Sequence, residues 1–173
     1  MMAAAYLGLG SNLGNRYAYI QDAIDRINRV GLIKITGVSP IYISEPLEVD
    51  NHPDYLNCAL RIETGLSPGE LHRECRGIES QMGRKSKGDL QPRTIDIDLL
   101  LYENYSLQEP ELTIPHQRIK QRAFVLKPLT DIDPGLRCPL TDESYLEILE
   151  TKLKEQKIMI FDGKASKGTE GEN

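Results

Sequence analysis

The chain has 173 residues, enough for one domain whose core needs no disulfide or metal staple. Its 39% hydrophobic and 27% charged content fits a soluble globular protein, and a net charge of −5 with a pI near 5.3 argues against a bulk nucleic-acid or acidic-membrane partner. Cys58, Cys75 and Cys138 are far apart without metal-ligand spacing, which reads as reduced thiols in a cytosolic protein, and the N-terminus lacks the basic start and unbroken apolar run of a signal or membrane helix.

Residues 3–9 are small and aliphatic and predict a strand. The loop GSNLG follows, then a helix from near Asn15, with Ile20, Ala23, Ile24, Ile27 and Val30 at helical spacing and Gly31 as its stop. Residues 32–44 are β-branched and predict one long strand, with a bulge or edge position at Ser39-Pro40 because proline cannot donate to a ladder. A two-proline loop covers 44–54. Residues 55–64 alternate, with Leu56, Cys58, Leu60 and Ile62 facing one way and Tyr55, Asn57 and Ala59 the other. Ser67, Pro68 and Glu70 form a helix start with a capping box, and Leu66 and Leu71 supply its staple. Leu71, Cys75, Ile78 and Met82 make the buried stripe, and Gly83 ends that helix. A basic, Gly-bearing loop spans 84–92.

After a strand from 93 come a loop to Ile114, a helix ending through Leu129, a helix at 144–154 and a strand at 158–161. Residues 162–173 are polar and aperiodic and read as a frayed tail behind a single catalytic domain at 1–161. The order β-α-β-β-α-β predicts an α+β, ferredoxin-like core: an antiparallel sheet with helices on one face, the other left polar.

The strand RTIDIDLLL (93–101) puts two aspartates into the most aliphatic part of the chain. Residues two apart share a strand face, so Ile95, Ile97, Leu99 and Leu101 face the core, and Asp96 and Asp98 share the opposite side with Thr94. Like charges this close repel, so the face is wet or a cation lies between them. A D-x-D triplet alone reads as a solvated face paired with Arg93 or lysines. The loop residues Arg84, Lys85 and Lys87, with Arg93 at the strand entry, add what a metal-nucleotide polyphosphate requires: Mg²⁺ takes carboxylate, water and phosphate oxygens, and two carboxylates can hold two ions.

With LGLGSNLG (7–14), EPL (45–47), HPDYLNCAL (52–60), IESQMGR (78–84), QPRTIDIDLLLY (91–102) and IPHQRIKQRAFVLKPLTDIDP (114–134) in order, the chain resembles the 6-hydroxymethyl-7,8-dihydropterin pyrophosphokinases of folate biosynthesis. The family fold is also ferredoxin-like. The resemblance implies transfer of pyrophosphate from the co-substrate ATP to the pterin hydroxymethyl group, releasing AMP. It implies two Mg²⁺ ions on Asp96 and Asp98, with Arg84 and Arg93 beside them as catalytic groups. Nucleotide contacts fall on Glu79, Lys87, Arg93, Leu99, Thr113, His116 and Arg122. Tyr55 and Phe124 are the family's stacking pair, Asn57 offers a donor and an acceptor to the pterin edge, and Ser44, Pro46 and Leu47 supply backbone groups. Singly, Tyr55 and Phe124 read as core packing, Asn57 as a ladder-edge bond, and Glu79 as a solvated helix position.

Three positions depart from the family pattern: Glu45 stands for a proline, Leu90 for a tryptophan of the closing loop, and Gln117 for a tyrosine. The expected partners are small molecules, with no nucleic acid and no membrane, and the chain is expected to be a monomer. Another Mg²⁺-dependent phosphoryl or nucleotidyl transferase fits the acidic pair and basic loop equally. An RNA-binding ferredoxin-like module fits less, for want of basic charge and an aromatic-rich strand. GLGSNLG matches neither nucleotide-loop motif and reads as a turn that needs glycine backbone.

Overall fold

The computed structural model describes residues 2–44, 54–83 and 94–162. Strand β1 (Ala3–Ser11) leads into helix α1 (Arg16–Asn28), and strands β2 (Ile33–Val38), β3 (Tyr42–Ser44) and β4 (Tyr55–Thr64) precede helix α2 (Pro68–Gln81). Strand β5 (Asp96–Tyr102) is followed by the short strands β6 (Leu107–Gln108) and β7 (Thr113–Ile114), helix α3 (Ala123–Ile132), helix α4 (Tyr145–Thr151) and strand β8 (Ile158–Ile160). The main sheet runs β5-β1-β4-β3-β8, β2 also pairs with β4, and every pairing is antiparallel. This is the strand order of the expected βαββαβ core, with β2 and β3 sharing the place of its second strand.

Local chemistry explains the ends. The Asn15 side chain accepts the Ala18 amide to cap α1. Ser67 and Glu70 form the reciprocal capping box of α2, with Leu66 and Leu71 buried beside it. Gly83 leaves α2 at φ +94°, a conformation that favours glycine. β1 runs two residues beyond the expected end, because β4 and β5 pair with Gly10 on both sides and β4 with Ser11. GLGS is therefore strand, and in GLGSNLG only Gly14, at φ +64°, needs a glycine's backbone freedom.

The single strand expected at 32–44 is two. Pro40 has no amide to offer, and Ser39 fills the gap. Its N–H donates to the Ala59 carbonyl at 3.0 Å, and its hydroxyl accepts the Ala59 amide at 2.8 Å. The loop expected at 103–114 contains the β6–β7 hairpin.

One core lies between the sheet and α1 and α2, built from Leu7, Leu9, Ile20, Ile27, Leu60, Leu71, Ile97 and their neighbours. Cys58 and Cys75 are buried in it as expected, and all three cysteines are free. The other sheet face is not polar throughout. Tyr6, Leu100 and Leu101 carry a second core there with α3 and α4. Leu101 reaches that face through a β-bulge. Tyr6 pairs with Leu101 but Leu7 with Leu99, so Leu100 is an extra residue and the alternation shifts. Leu101 thus leaves the side shared by Ile95, Ile97 and Leu99, and Tyr102 replaces it, its hydroxyl donating to the Leu66 carbonyl at 2.7 Å. No helix among the described residues is long and apolar enough to cross a membrane.

Candidate active site

Among the described residues, α3 and α4 cover part of the second face, and most of the expected site residues lie beside that part. Register fixes them. Asp96 and Asp98 on β5 lie directly across from Gly10 and Gly8 on β1. Gly10 and Gly8 in turn face Asn57 and Ala59 on β4, and Tyr42 on β3 faces Asn57. Directly opposed residues in an antiparallel sheet point the same way, so Asp96, Gly10, Asn57 and Tyr42 form one row. Strands lie about 4.8 Å apart, which puts the Asn57 and Asp96 backbones about 10 Å from each other with only a glycine between.

Gly10 is a floor between them. A Cβ at Gly10 would lie 3.0 Å from Asn57 Oδ1 and 3.6 Å from Tyr55 Cδ1. Asn57 is buried, and its amide nitrogen donates to Ser44 Oγ at 2.7 Å, leaving the carbonyl oxygen on the glycine side. Asp96 and Asp98 are half-buried. The Tyr55 and Phe124 rings are parallel within 6° and their centroids are 6.5 Å apart. The centroid distance is the upper limit of the spacing between the planes, and it lies close to the ~7 Å that one flat ring between two others requires. The Arg122 guanidinium carbon lies 5.4 Å from the Phe124 centroid, within cation–π range. His116 is tied beside β5 by its backbone N–H, which donates to the Leu100 carbonyl at 3.0 Å, and Thr113 sits on β7, which packs on β5.

Two residues expected at the nucleotide have buried side chains in this fold. Glu79 is 2% exposed, so the solvated position open to it on sequence grounds does not hold. It packs between α2 and β5, and its Oε2 accepts the amide of Ile97, the residue between the two aspartates, at 3.0 Å. The Leu99 side chain is in the core against α1 and α2, on the opposite face to Asp96 and Asp98, so only its backbone is open to a ligand. The expected roles of Pro46, Leu47, Arg84, Lys87 and Arg93, and the departures at Glu45 and Leu90, fall outside the described residues, as do 163–173 of the tail.

Among the described residues no three His, Cys, Asp or Glu side chains gather as a metal cage. Two neighbouring carboxylates fit a different kind of ion. Mg²⁺ keeps much of its water and binds through one or two carboxylates plus substrate phosphates. The donor set of Asp96 and Asp98 fits that chemistry.

Residues 6–134 match the family model described as 7,8-dihydro-6-hydroxymethylpterin-pyrophosphokinase (HPPK). The chain belongs to this family. A Pseudomonas aeruginosa relative named 2-amino-4-hydroxy-6-hydroxymethyldihydropteridine pyrophosphokinase is 39% identical over 139 residues, 80% of this chain and 86% of its own length. The folic acid synthesis protein fol1 of Schizosaccharomyces pombe is 40% identical over 157 residues, covering 91% of this chain but 21% of that protein. The chain thus spans about a fifth of the length of the fungal relatives it matches. Among solved structures, the HPPK-DHPS of Plasmodium falciparum superposes with a TM-score of 0.73 at 15% identity over 89% of this chain and 46% of that one, a likeness of fold.

The residues that sequence reasoning missed here are Gly10 as floor, and Tyr42. The signal for Gly10 was the G-x-G spacing, which answers the D-x-D spacing on the neighbouring strand.

Proposed function

We propose that the chain transfers the β,γ-pyrophosphoryl group of ATP to the hydroxymethyl oxygen of 6-hydroxymethyl-7,8-dihydropterin, as an ATP- and Mg²⁺-dependent enzyme of folate synthesis. The observation that carries this reading is the parallel Tyr55–Phe124 gap on the same sheet face as Asp96 and Asp98. A phosphoryl transferase without a pterin substrate has no need of that gap.

The pterin ring would lie between Tyr55 and Phe124, a contact worth about 1–3 kcal/mol by analogy with stacked bases. Asn57 would read its edge. With the amide nitrogen committed to Ser44, the carbonyl oxygen accepts from a ring N–H or amino group. The hydroxymethyl arm would then extend over Gly10, where no side chain rises from the strand, toward β5. Asp96 and Asp98 would hold two Mg²⁺ ions, which when bound supply charge neutralisation for the triphosphate. Arg122 and His116 would contact phosphates from the α3 side, and Arg84, Lys87 and Arg93 would add further positive charge for the same groups. No covalent intermediate is required. Positioning a hydroxyl oxygen in line with the β-phosphorus, with charge compensation, carries most of the acceleration in such transfers.

Incubating the chain with ATP, Mg²⁺ and the dihydropterin tests the reading. The expected products are AMP and the pterin diphosphate in equal amounts. ADP with a monophosphate, or pyrophosphate with an adenylylated product, would assign the chain to a different transferase class.

A further inference from the structure

The two walls of the pterin gap belong to different elements, Tyr55 to β4 and Phe124 to the first turn of α3. The width of the gap therefore depends on how α3 sits on the sheet. Leu126 and Leu129 press the helix onto the second core, but apolar contacts have no direction and do not fix rotation about the helix axis. A hydrogen bond to a charged group does. The buried Tyr42 hydroxyl donates to Asp131 Oδ2, while Lys127 Nζ occupies Asp131 Oδ1 at 3.1 Å. Asp131 stands seven residues after Phe124, two turns along the same helix face, about 10 Å away. Tyr42 faces Asn57, two residues along β4 from Tyr55. Tyr6 makes a second tie at the far end of α3, to Asp133 Oδ2 at 3.1 Å.

We propose that Tyr42 is a positioning residue: through Asp131 it fixes the rotation of α3 that keeps the Phe124 ring parallel to Tyr55 and one ring's thickness open. The proposal rests on the reading of the gap as the pterin site. Tyr42 touches neither the nucleotide side nor the acidic pair in this scheme, and the long Arg122 side chain at the start of α3 can follow a small rotation where the short Phe124 ring cannot, so the effect falls chiefly on pterin. Burial, and next its bond to Asp131, hold its phenol well above the ordinary tyrosine range, so it stays a donor at every working pH.

Calorimetric binding of the dihydropterin and, separately, of a non-hydrolysable ATP analogue with Mg²⁺ to the full chain tests this. Phe124→Ala is expected to weaken pterin binding at least about tenfold. Tyr42→Phe is expected to weaken it about threefold to tenfold, with the ATP analogue changed less than about twofold. In a Phe124→Ala background, Tyr42→Phe should add nothing, because its effect passes through that ring. Tyr102→Phe, which removes another buried phenol bond, should lower the melting temperature and leave pterin affinity unchanged. Asp131→Asn, which keeps an acceptor, should show a smaller loss in the same pterin-only pattern and stands in should Tyr42→Phe not fold. Full pterin affinity in Phe124→Ala would overturn the gap reading and this inference together. A lost affinity there, with Tyr42→Phe silent or fully additive, would overturn the inference alone.

Discussion

Glu79→Ala removes the carboxylate that accepts the Ile97 amide at 3.0 Å in a site 2% exposed. Among the described residues β5 pairs only with β1 in the main sheet, so this side chain serves an amide on the strand's outer edge. A buried N–H left without a partner costs about 1–3 kcal/mol, and the space vacated by the side chain adds to that, so the expected loss of stability is about 2–4 kcal/mol. Glu79→Gln keeps an acceptor oxygen. Charge-assisted bonds are roughly twice as strong as neutral ones, so the amide should cost only about 1 kcal/mol. Urea denaturation of the full chain, extrapolated linearly, resolves the two. Because Ile97 lies between Asp96 and Asp98, turnover should fall in the same order, alanine below glutamine. An alanine variant within about 0.5 kcal/mol of the parent, or a glutamine variant as damaged as alanine, would refute the claim that the bond to Ile97 holds this strand.

Gly10→Ala should fold yet weaken the dihydropterin several-fold, since its Cβ would press on Asn57 Oδ1 at 3.0 Å. Gly8→Ala, whose Cβ meets only the movable end of Leu100 at 3.3 Å, should bind normally; equal titration curves for both would reject the floor. Glu143 is held down to about 2, first by the hydrogen bond from Lys120 and then by those from Thr141 and Lys152. A carboxyl whose folded pKa is depressed stabilises the fold above its unfolded pKa of about 4.3 and loses that contribution as pH falls toward 2. Thermal melts of Glu143→Gln and parent should therefore differ at pH 6 and converge near pH 2; a gap that stays constant with pH would contradict this. Burial pushes Cys58 up to about 12, so it should resist iodoacetamide at pH 8 in the folded chain and react once urea is added; rapid labelling at Cys58 in the native protein, located by peptide mass mapping, would contradict the buried placement.

The parts of the fold written in short-range pattern were legible in the sequence. The capping box at Ser67, the stripe of α2 and the alternation of β4 depend on neighbours a few residues away, and the structure reproduces them. What was not legible depends on partners far along the chain. Ser39 could replace the missing donor of Pro40 only because Ala59 stands opposite. The bulge at Leu100 follows from how β5 meets Tyr6 and Leu7. The second core exists because α3 folds back over the strands.

The site divides in the same way. That Asp96 and Asp98 share a face follows from a period of two. That Gly10 clears the ground beside them requires the β1–β5 register. The resemblance of motifs brought Tyr55 and Phe124 together as a pair, and spacing alone could not, since 69 positions separate them. It also pointed to Glu79, whose place in the structure is behind the strand, holding it.

Electron paramagnetic resonance with Mn²⁺ in place of Mg²⁺, counting the ions bound per chain in the presence of a non-hydrolysable ATP analogue, addresses the acidic pair most directly. Two ions are predicted for the parent chain, and the loss of both in Asp96→Asn/Asp98→Asn without loss of the folded circular-dichroism signal. An unchanged count of two in that double variant would place the metal elsewhere and contradict the role given to this strand.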